Sequence, residues 1–118
     1  MFIRPERYTH EFIESQDCVN LVFLGQSEKA REAYAFCGAK SGRDHDKARE
    51  CGLTPCCTEN GSVSFEEARL TLECRKIYKT RIRPEEMTDK TIEQWYGGAK
   101  GGLHDVYVME ITSVSVAE

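Results

Sequence analysis

Alternation of apolar and polar residues in "RLTLECRKIY" (69–78) is the feature that most limits the fold of this chain. On an extended backbone Leu70, Leu72 and Cys74 lie on one side, and Thr71 and Glu73 lie on the other. A period of two residues is typical of a strand with one face in the core and one in water. The segment therefore predicts a half-buried strand with its leucines inward, in a chain built around a β-sheet.

Two further segments predict strands. The run "CVNLVFL" (18–24) is short and rich in β-branched and large apolar residues, which favours a strand covered on both faces. In "HDVYVMEITSVSV" (104–116) the apolar alternation changes side in the middle, so we expect a long last strand with a bulge or bend near Glu110. The segment 53–62, with its Pro and Asn-Gly, predicts loop and turn.

Helical segments are interspersed among these strands. The patterns predict a short helix within 7–16 capped by Thr9, a second helix begun by Ser27 and ended by Gly38, and a brief third helix capped by Asp44. Because helices and strands do not alternate regularly, we expect an α+β fold, mainly β, around an antiparallel sheet. A length of 118 residues fits a single domain, 1–118.

The charged segment 80–96 predicts a surface helix that docks Ile92, Trp95 and Tyr96 inward, and "GGAKGG" (97–102) predicts a mobile linker.

The net charge of −4 argues against a nucleic-acid partner. No apolar stretch is long enough to cross a membrane, and no signal-peptide pattern is present, so we expect a cytoplasmic protein. The six cysteines show no C-x-x-C spacing, which favours reduced thiols and no metal site.

The stretch "CGAKSGRDHDK" (37–47) is the first candidate for a site. A turn between two helices leaves backbone N–H groups free, and Lys40, Ser41 and Arg43 add donors that suit a phosphate. Two aspartates nearby weaken that interpretation, and a solvated connection explains the same residues equally well.

Arg4 and Arg7 form a second cationic cluster, at the start of the first helix beside Thr9. Surface salt bridges are the alternative for both arginines. His104 precedes the last strand and could donate a proton or hydrogen bond to a bound ring, or it could be an exposed histidine without a role.

Taken together, the chain resembles the flavin reductase-like family, whose fold is the FMN-binding split β-barrel. The similarity runs colinearly through almost the entire sequence, from "RPERYTHEFIE" and "CVNLVFL" to "FEEARLTLECRKIY" and "HDVYVMEITSV". Its most specific part is the Cys-Gly-x-Lys-Ser-Gly-Arg-Asp-x-Asp-Lys block followed by Gly-Leu-Thr-Pro, which here extends from Cys37 to Pro55.

The resemblance implies noncovalently bound FMN in a homodimer, with the flavin cycling between NAD(P)H and a small-molecule electron acceptor. It implies that His104, the one candidate catalytic residue, lies towards the flavin ring or nicotinamide. The residues expected to contact or support FMN are Arg4, Arg7, Tyr8, Thr9, Lys40, Ser41, Gly42, Arg43 and Lys47.

Compared with the family pattern, the chain begins where the first barrel strands end, so the resemblance predicts an N-terminally truncated barrel. Two alternatives to an FMN-dependent oxidoreductase therefore stay open. One is a non-catalytic remnant that dimerises or binds a partner through its sheet edges, and the other is a flavin-binding module without turnover.

Overall fold

A computed structural model describes all residues of the chain, 1–118. It contains six strands, three α-helices and three short 3-10 helices. The strands are β1 (Phe2–Ile3), β2 (Cys18–Phe23), β3 (Pro55–Cys57), β4 (Val63–Phe65), β5 (Leu70–Arg81) and β6 (Asp105–Val116). The α-helices are α1 (Tyr8–Ser15), α2 (Glu28–Ala39) and α3 (Lys47–Glu50), and the 3-10 helices are Pro84–Glu86, Lys90–Trp95 and Gly98–Lys100.

Four strands form one antiparallel sheet in the order β1-β6-β5-β2, and β3 pairs with β4 in a separate hairpin. The α+β architecture, mainly antiparallel sheet with short helices, is as expected. The pairing of β5 with β6 changes from Glu73–Ser113 to Cys74–Ile111, which leaves Thr112 as an extra residue. This bulge confirms the irregularity predicted near Glu110.

The burial of β5 contradicts the expectation from its alternation. Thr71 and Glu73 are buried, whereas Leu70 and Leu72 are only half-buried, although Cys74, expected on the same side as the leucines, is buried. The β3–β4 hairpin covers the polar side, where the Ser64 and Thr71 hydroxyl oxygens lie 2.7 Å apart. At the same hairpin the Asn60 N–H donates to Glu73 Oε1 at 3.0 Å. Hydrogen bonding, which the alternation of residue types does not reveal, decides which face is covered.

Other local predictions also need correction. β2 was expected to be covered on both faces, but it is an edge strand and Phe23 is 45% exposed. The segment predicted as loop at 53–62 contributes β3 and the turn of the hairpin. The predicted inward helix at 80–96 is instead the end of β5 and two 3-10 helices, with Trp95 60% exposed.

The helix boundaries agree with the sequence at one cap and differ at the others. Ser27 caps α2, because its Oγ accepts the Ala30 N–H at 3.1 Å. Arg7 rather than Thr9 occupies the N-cap of α1, and Asp46 rather than Asp44 caps α3. Gly38 lies inside α2, which ends one residue later. None of the helices is both long and apolar enough to pass through a lipid bilayer.

Candidate functional site

A cleft of about 820 Å³ lies where β1, the start of α1, the turn after α2 and the residue before β6 meet. Most of the residues that the sequence analysis selected line this cleft. They are Arg4, Arg7, Tyr8, Thr9, Lys40, Ser41, Gly42, Lys47 and His104. Arg43 is the one selected residue that does not line it. The structure therefore brings together side chains that are far apart in the sequence, and their role as ligand contacts stays a prediction.

The turn after α2 presents unsatisfied donors at the cleft. The Lys40 N–H still bonds to the Phe36 carbonyl at 3.0 Å, as the last bond of the helix. The next two N–H groups, of Ser41 and Gly42, have no acceptor within the chain. The Ser41 hydroxyl accepts the Arg43 N–H at 3.1 Å, which shapes the turn. Two adjacent free N–H groups in a turn form a concavity suited to an anion.

The start of α1 presents the same kind of donors from the opposite side. Arg7 is its N-cap and supplies no side-chain cap. The N–H groups of Tyr8 and Thr9 have no acceptor within the chain either. Because the first turn of a helix carries free donors and a partial positive charge, this end of α1 favours a negatively charged guest.

Two of the cations at the cleft are not committed elsewhere. Arg7 and Lys40 make no side-chain hydrogen bond or ion pair within the chain. Lys47, in contrast, donates from Nζ to the Cys37 carbonyl at 2.7 Å. The two uncommitted charges and the free N–H groups of the two chain segments are therefore all available to one anionic ligand.

Arg43 lies outside the cleft and contacts residues that line it. Its guanidinium lies 4.7 Å from the centre of the Tyr8 ring and pairs with Glu11 at 3.2 Å. A Cβ added to Gly42 would come within 3.0 Å of Tyr8 Cδ2. The turn and α1 are thus in close contact through Tyr8, and Arg43 holds that ring in place rather than facing the cleft.

Arg4 organises the segment 95–102. Its two terminal nitrogens donate to the Lys100 carbonyl at 2.6 Å and to the Trp95 carbonyl at 2.9 Å. The guanidinium also lies 4.7 Å from the centre of the Tyr96 ring. The stretch expected to be a mobile linker is therefore tied to Arg4, the residue after β1, and the charge of Arg4 is already engaged by carbonyl oxygens.

Replacing Arg4 by alanine should loosen the segment 97–102. We expect a loss of about 1–2 kcal/mol in the free energy of unfolding, because the carbonyls lose a charged donor but can still bind water. Amide hydrogen exchange should become faster in this segment and stay unchanged in β5. Arg7→Ala is the matched control, since Arg7 makes no such bonds; equal exchange in both variants would contradict this role of Arg4.

His104 lies at the edge of the cleft. Its Nδ1 is 2.7 Å from the Tyr96 hydroxyl, and its ring makes an edge contact with Phe2. Burial lowers the pKa of His104, and the nearby positive charge of Arg4 lowers it further. Both effects favour the neutral form of the ring. Because Nδ1 is engaged by Tyr96, only Nε2 remains for a ligand.

A buried ionic cluster, which the sequence analysis missed, holds the next residue. Asp105 is completely buried and receives bonds from Arg81 Nε at 2.6 Å and His10 Nε2 at 2.7 Å. Lys79 Nζ lies 3.6 Å from the same carboxylate and 2.6 Å from Glu14. The hydrogen bond from Arg81 is the main cause that keeps the pKa of Asp105 far below its ordinary range.

The ligand atoms of His10, Glu14 and Asp105 lie close enough together to suit a metal ion. The lysine and arginine already supply the positive charge there, so the cluster is better explained as an ion-pair network that anchors the start of β6 beside His104. The pairing of β5 with β6 places Arg81 opposite Asp105 and so creates the cluster. Sequence patterns do not show this register, so they could not have predicted the cluster.

Comparison with known proteins gives a consistent result. The chain is similar in structure to flavoredoxin of Desulfovibrio vulgaris (Miyazaki F), with a TM-score of 0.69 and 20% identity over 98% of this chain and 51% of that one. It is also similar to flavoredoxin from Methanosarcina acetivorans, with a TM-score of 0.70 and 19% identity over 100% of this chain and 52% of that one.

A third similar structure is the FMN-binding protein from Thermus thermophilus with bound p-hydroxybenzaldehyde. The TM-score is 0.69 and the identity 18%, over 100% of this chain and 54% of that one. The chain thus spans about half the length of the solved structures that it matches. A search of curated protein sequences found no match.

These structural similarities confirm the expected fold, that of the flavin reductase-like split barrel. The sequence profile of the flavin reductase-like domain matches residues 1–118, the entire chain. The chain therefore belongs to the flavin reductase-like domain family.

Proposed function

We propose that the cleft binds FMN and that the protein is an oxidoreductase of the flavin reductase type. The observation that carries the proposal is the meeting, in one cleft, of two chain segments that both present free N–H groups and an uncommitted cation. Membership of the flavin reductase-like family supports a flavin as the ligand.

The residues fit the phosphate end of FMN. Arg7 and Lys40 would neutralise the dianion, and the N–H groups of Ser41 and Gly42 would donate to its oxygens. The start of α1 would add the N–H groups of Tyr8 and Thr9. Lys47 and Arg43 would support these contacts indirectly, since the first holds the end of α2 and the second holds Tyr8. Arg4 would shape the wall of the cleft.

His104 would lie towards the ring, where its free Nε2 is the candidate hydrogen-bonding group. Bound flavin would supply the redox chemistry, while the chain binds and orients it. This division of roles requires no acid–base pair in the cleft.

Titration with FMN and with riboflavin tests the proposal. Riboflavin carries the same ring without the phosphate, so FMN should bind at least tenfold more tightly if the free donors and cations hold the phosphate. Flavin fluorescence quenching measures both dissociation constants. Equal affinity for the two ligands, or no binding of either, would contradict the proposal.

The proposal also includes a reductant, NADH or NADPH, and a small-molecule electron acceptor. We expect NADH or NADPH to bleach the flavin absorbance of the FMN-loaded protein in the absence of oxygen, and an added small-molecule acceptor to restore it. FMN binding without bleaching by either nucleotide would favour the second candidate, a flavin-binding module without turnover.

We also propose a homodimer and a cytoplasmic location. Large apolar side chains are exposed on one face of the sheet. Leu70 pairs with Phe23 on one neighbouring strand and with Val116 on the other, and Val114 lies near Ile111. A patch of this kind is typical of an interface, and family members are commonly oligomeric. The six cysteines are all unpaired, in keeping with a reducing compartment.

Val114→Asp tests the dimer. A carboxylate on this face should convert a dimer into a monomer, because a charge buried in an apolar interface is strongly unfavourable. Sedimentation velocity measures the change. Glu110→Gln, on the same strand, is the control and should leave the dimer intact. A wild-type protein that is monomeric at all concentrations would refute the homodimer. A non-catalytic remnant could then bind only a different protein as its partner.

A further inference from the structure

Tyr96 is the only residue of the segment 88–100 that is not exposed to solvent. Arg4 holds it in place, since the guanidinium lies 4.7 Å from the centre of the Tyr96 ring and donates to the preceding carbonyl, of Trp95, at 2.9 Å. The Tyr96 N–H donates to the Glu93 carbonyl at 3.1 Å. The backbone and the ring of Tyr96 are therefore both fixed.

The Tyr96 hydroxyl is hydrogen-bonded to His104. Its oxygen lies 2.7 Å from Nδ1, and the two rings meet edge to face with their centres 5.5 Å apart. His104 lines the cleft, whereas Tyr96 does not. The hydroxyl has no other polar partner in the chain, and Nε2 of His104 has none at all. Tyr96 thus engages one imidazole nitrogen from outside the cleft and leaves the other nitrogen free.

The chemistry of the two groups decides which of them donates. A phenol O–H is a stronger acid than the N–H of a neutral imidazole, and an imidazole nitrogen is a stronger base than a phenol oxygen. The bond from the Tyr96 hydroxyl to Nδ1 is therefore stronger than the reverse one. The positive charge of Arg4 over the Tyr96 ring makes the hydroxyl a better donor still. With Nδ1 as the acceptor, the proton of the neutral His104 ring lies on Nε2.

The other two histidines have a different kind of partner. His10 Nε2 is bonded to Asp105 at 2.7 Å, and His45 Nδ1 is bonded to Glu50 at 2.9 Å. A carboxylate only accepts, so each of these bonded nitrogens carries a proton. His104 is the one histidine whose partner can donate, and its free nitrogen is the protonated one.

We propose that Tyr96 is a positioning residue that keeps the proton of His104 on Nε2, so that the cleft presents an N–H donor to the ring portion of its ligand. A donor at this place favours a ligand with a carbonyl oxygen or an accepting ring nitrogen, and disfavours one that presents its own N–H or O–H there. The pyrimidine part of a flavin carries such acceptors. The tautomer belongs to the chain itself, whereas its use by a flavin rests on the proposed function.

NMR of the whole chain without flavin tests the tautomer. Long-range proton–nitrogen correlation spectra of the isotope-labelled protein, at mildly alkaline pH where imidazole rings are neutral, show which nitrogen of each histidine is protonated. His104→Gln identifies the His104 signals. We expect a proton on Nε2 in the wild type. In Tyr96→Phe the two nitrogen signals of His104 should move toward each other, because both tautomers become populated.

Tyr34→Phe is the matched control for this experiment. It also removes a hydrogen-bonded tyrosine hydroxyl, but that hydroxyl accepts the Leu24 N–H and has no contact with His104. The His104 signals should stay as in the wild type. A wild-type ring protonated at Nδ1, or unchanged His104 signals in Tyr96→Phe, would overturn the proposal.

Titration with riboflavin tests whether a ligand uses the donor. His104→Ala should raise the dissociation constant about fivefold, the effect of one neutral hydrogen bond. Tyr96→Phe should raise it less, and the double variant should match His104→Ala, because Tyr96 acts through His104. Losses that add in the double variant would show that Tyr96 shapes the cleft independently, which contradicts a positioning role.

The two proposals can fail separately. If neither riboflavin nor FMN binds, the flavin function is wrong, and the NMR spectra still decide whether Tyr96 sets the tautomer. If both flavins bind and His104→Ala leaves the affinity for riboflavin unchanged, the flavin function stands and the donor role of His104 is wrong.

Discussion

Replacement of Asp105 by alanine should lower the free energy of unfolding by about 3 kcal/mol. The carboxylate is completely buried and is bonded by Arg81 and His10, with Lys79 nearby. Its removal leaves these groups close together without their counter-charge and leaves a cavity at the start of β6. We place the loss at the lower end for buried ion pairs, because the two long cationic side chains can still reach water. Urea unfolding followed by circular dichroism measures it.

Glu110→Ala is the matched control for this prediction. Glu110 also pairs an arginine of β5 from β6, at 3.5 Å from Arg75, but both side chains are more than half exposed. Its removal should cost less than about 1 kcal/mol. Equal losses for the two variants would show that the burial of Asp105 does not matter.

The same carboxylate should make stability depend on pH in the acid range. The pKa of Asp105 is depressed in the folded protein relative to its ordinary value of 3.8. Its stabilising effect is therefore complete above that value and declines as the pH falls below it. The wild type should lose stability between about pH 4 and pH 2 more steeply than Asp105→Asn. Parallel curves for the two proteins would contradict the assignment.

Removal of both uncommitted cations at the cleft should raise the dissociation constant for FMN about 100-fold. In the double variant Arg7→Ala, Lys40→Ala two charged hydrogen bonds to the phosphate are lost, at roughly 1.5 kcal/mol each. Binding of riboflavin should change little, because that ligand has no phosphate. Fluorescence titration of the variant with both ligands measures the two effects.

Arg43→Ala is the control for the double variant. Arg43 carries the same charge and lies close in sequence, but it contacts Tyr8 and Glu11 instead of lining the cleft. We expect its loss to weaken FMN binding less than tenfold. If Arg43→Ala were as damaging as the double variant, the phosphate would lie on the outer side of the turn, and the assignment of Arg7 and Lys40 would be wrong.

Several features of the fold could be predicted from the sequence because they depend on neighbours along the chain. Ser27 caps α2 through a bond to a residue three positions later, and the change of alternation near Glu110 marks a real bulge. The block from Cys37 to Pro55 was enough to indicate the family. The same kind of local chemistry placed a turn with free donors after α2.

Other features depend on which distant residues pack together. The leucines of β5 were expected inward, but the hairpin covers Thr71 and Glu73 instead. Arg4 and Arg43 both resembled phosphate ligands, yet one binds carbonyls of the segment 95–102 and the other supports Tyr8. An arginine has the same charge in each of these roles, so only its neighbours in the folded protein show which role it has.

The sequence by itself determined the extended character of β2, β5 and β6, the bulge in β6, the Ser27 cap and membership of the family, because these depend on residues only a few positions apart. The tertiary structure alone decided the face that is buried and the cations that remain free. It also decided the burial of Asp105, whose partner His10 is 95 positions away along the chain. Strand register and helix packing produce these contacts, and no local pattern encodes them.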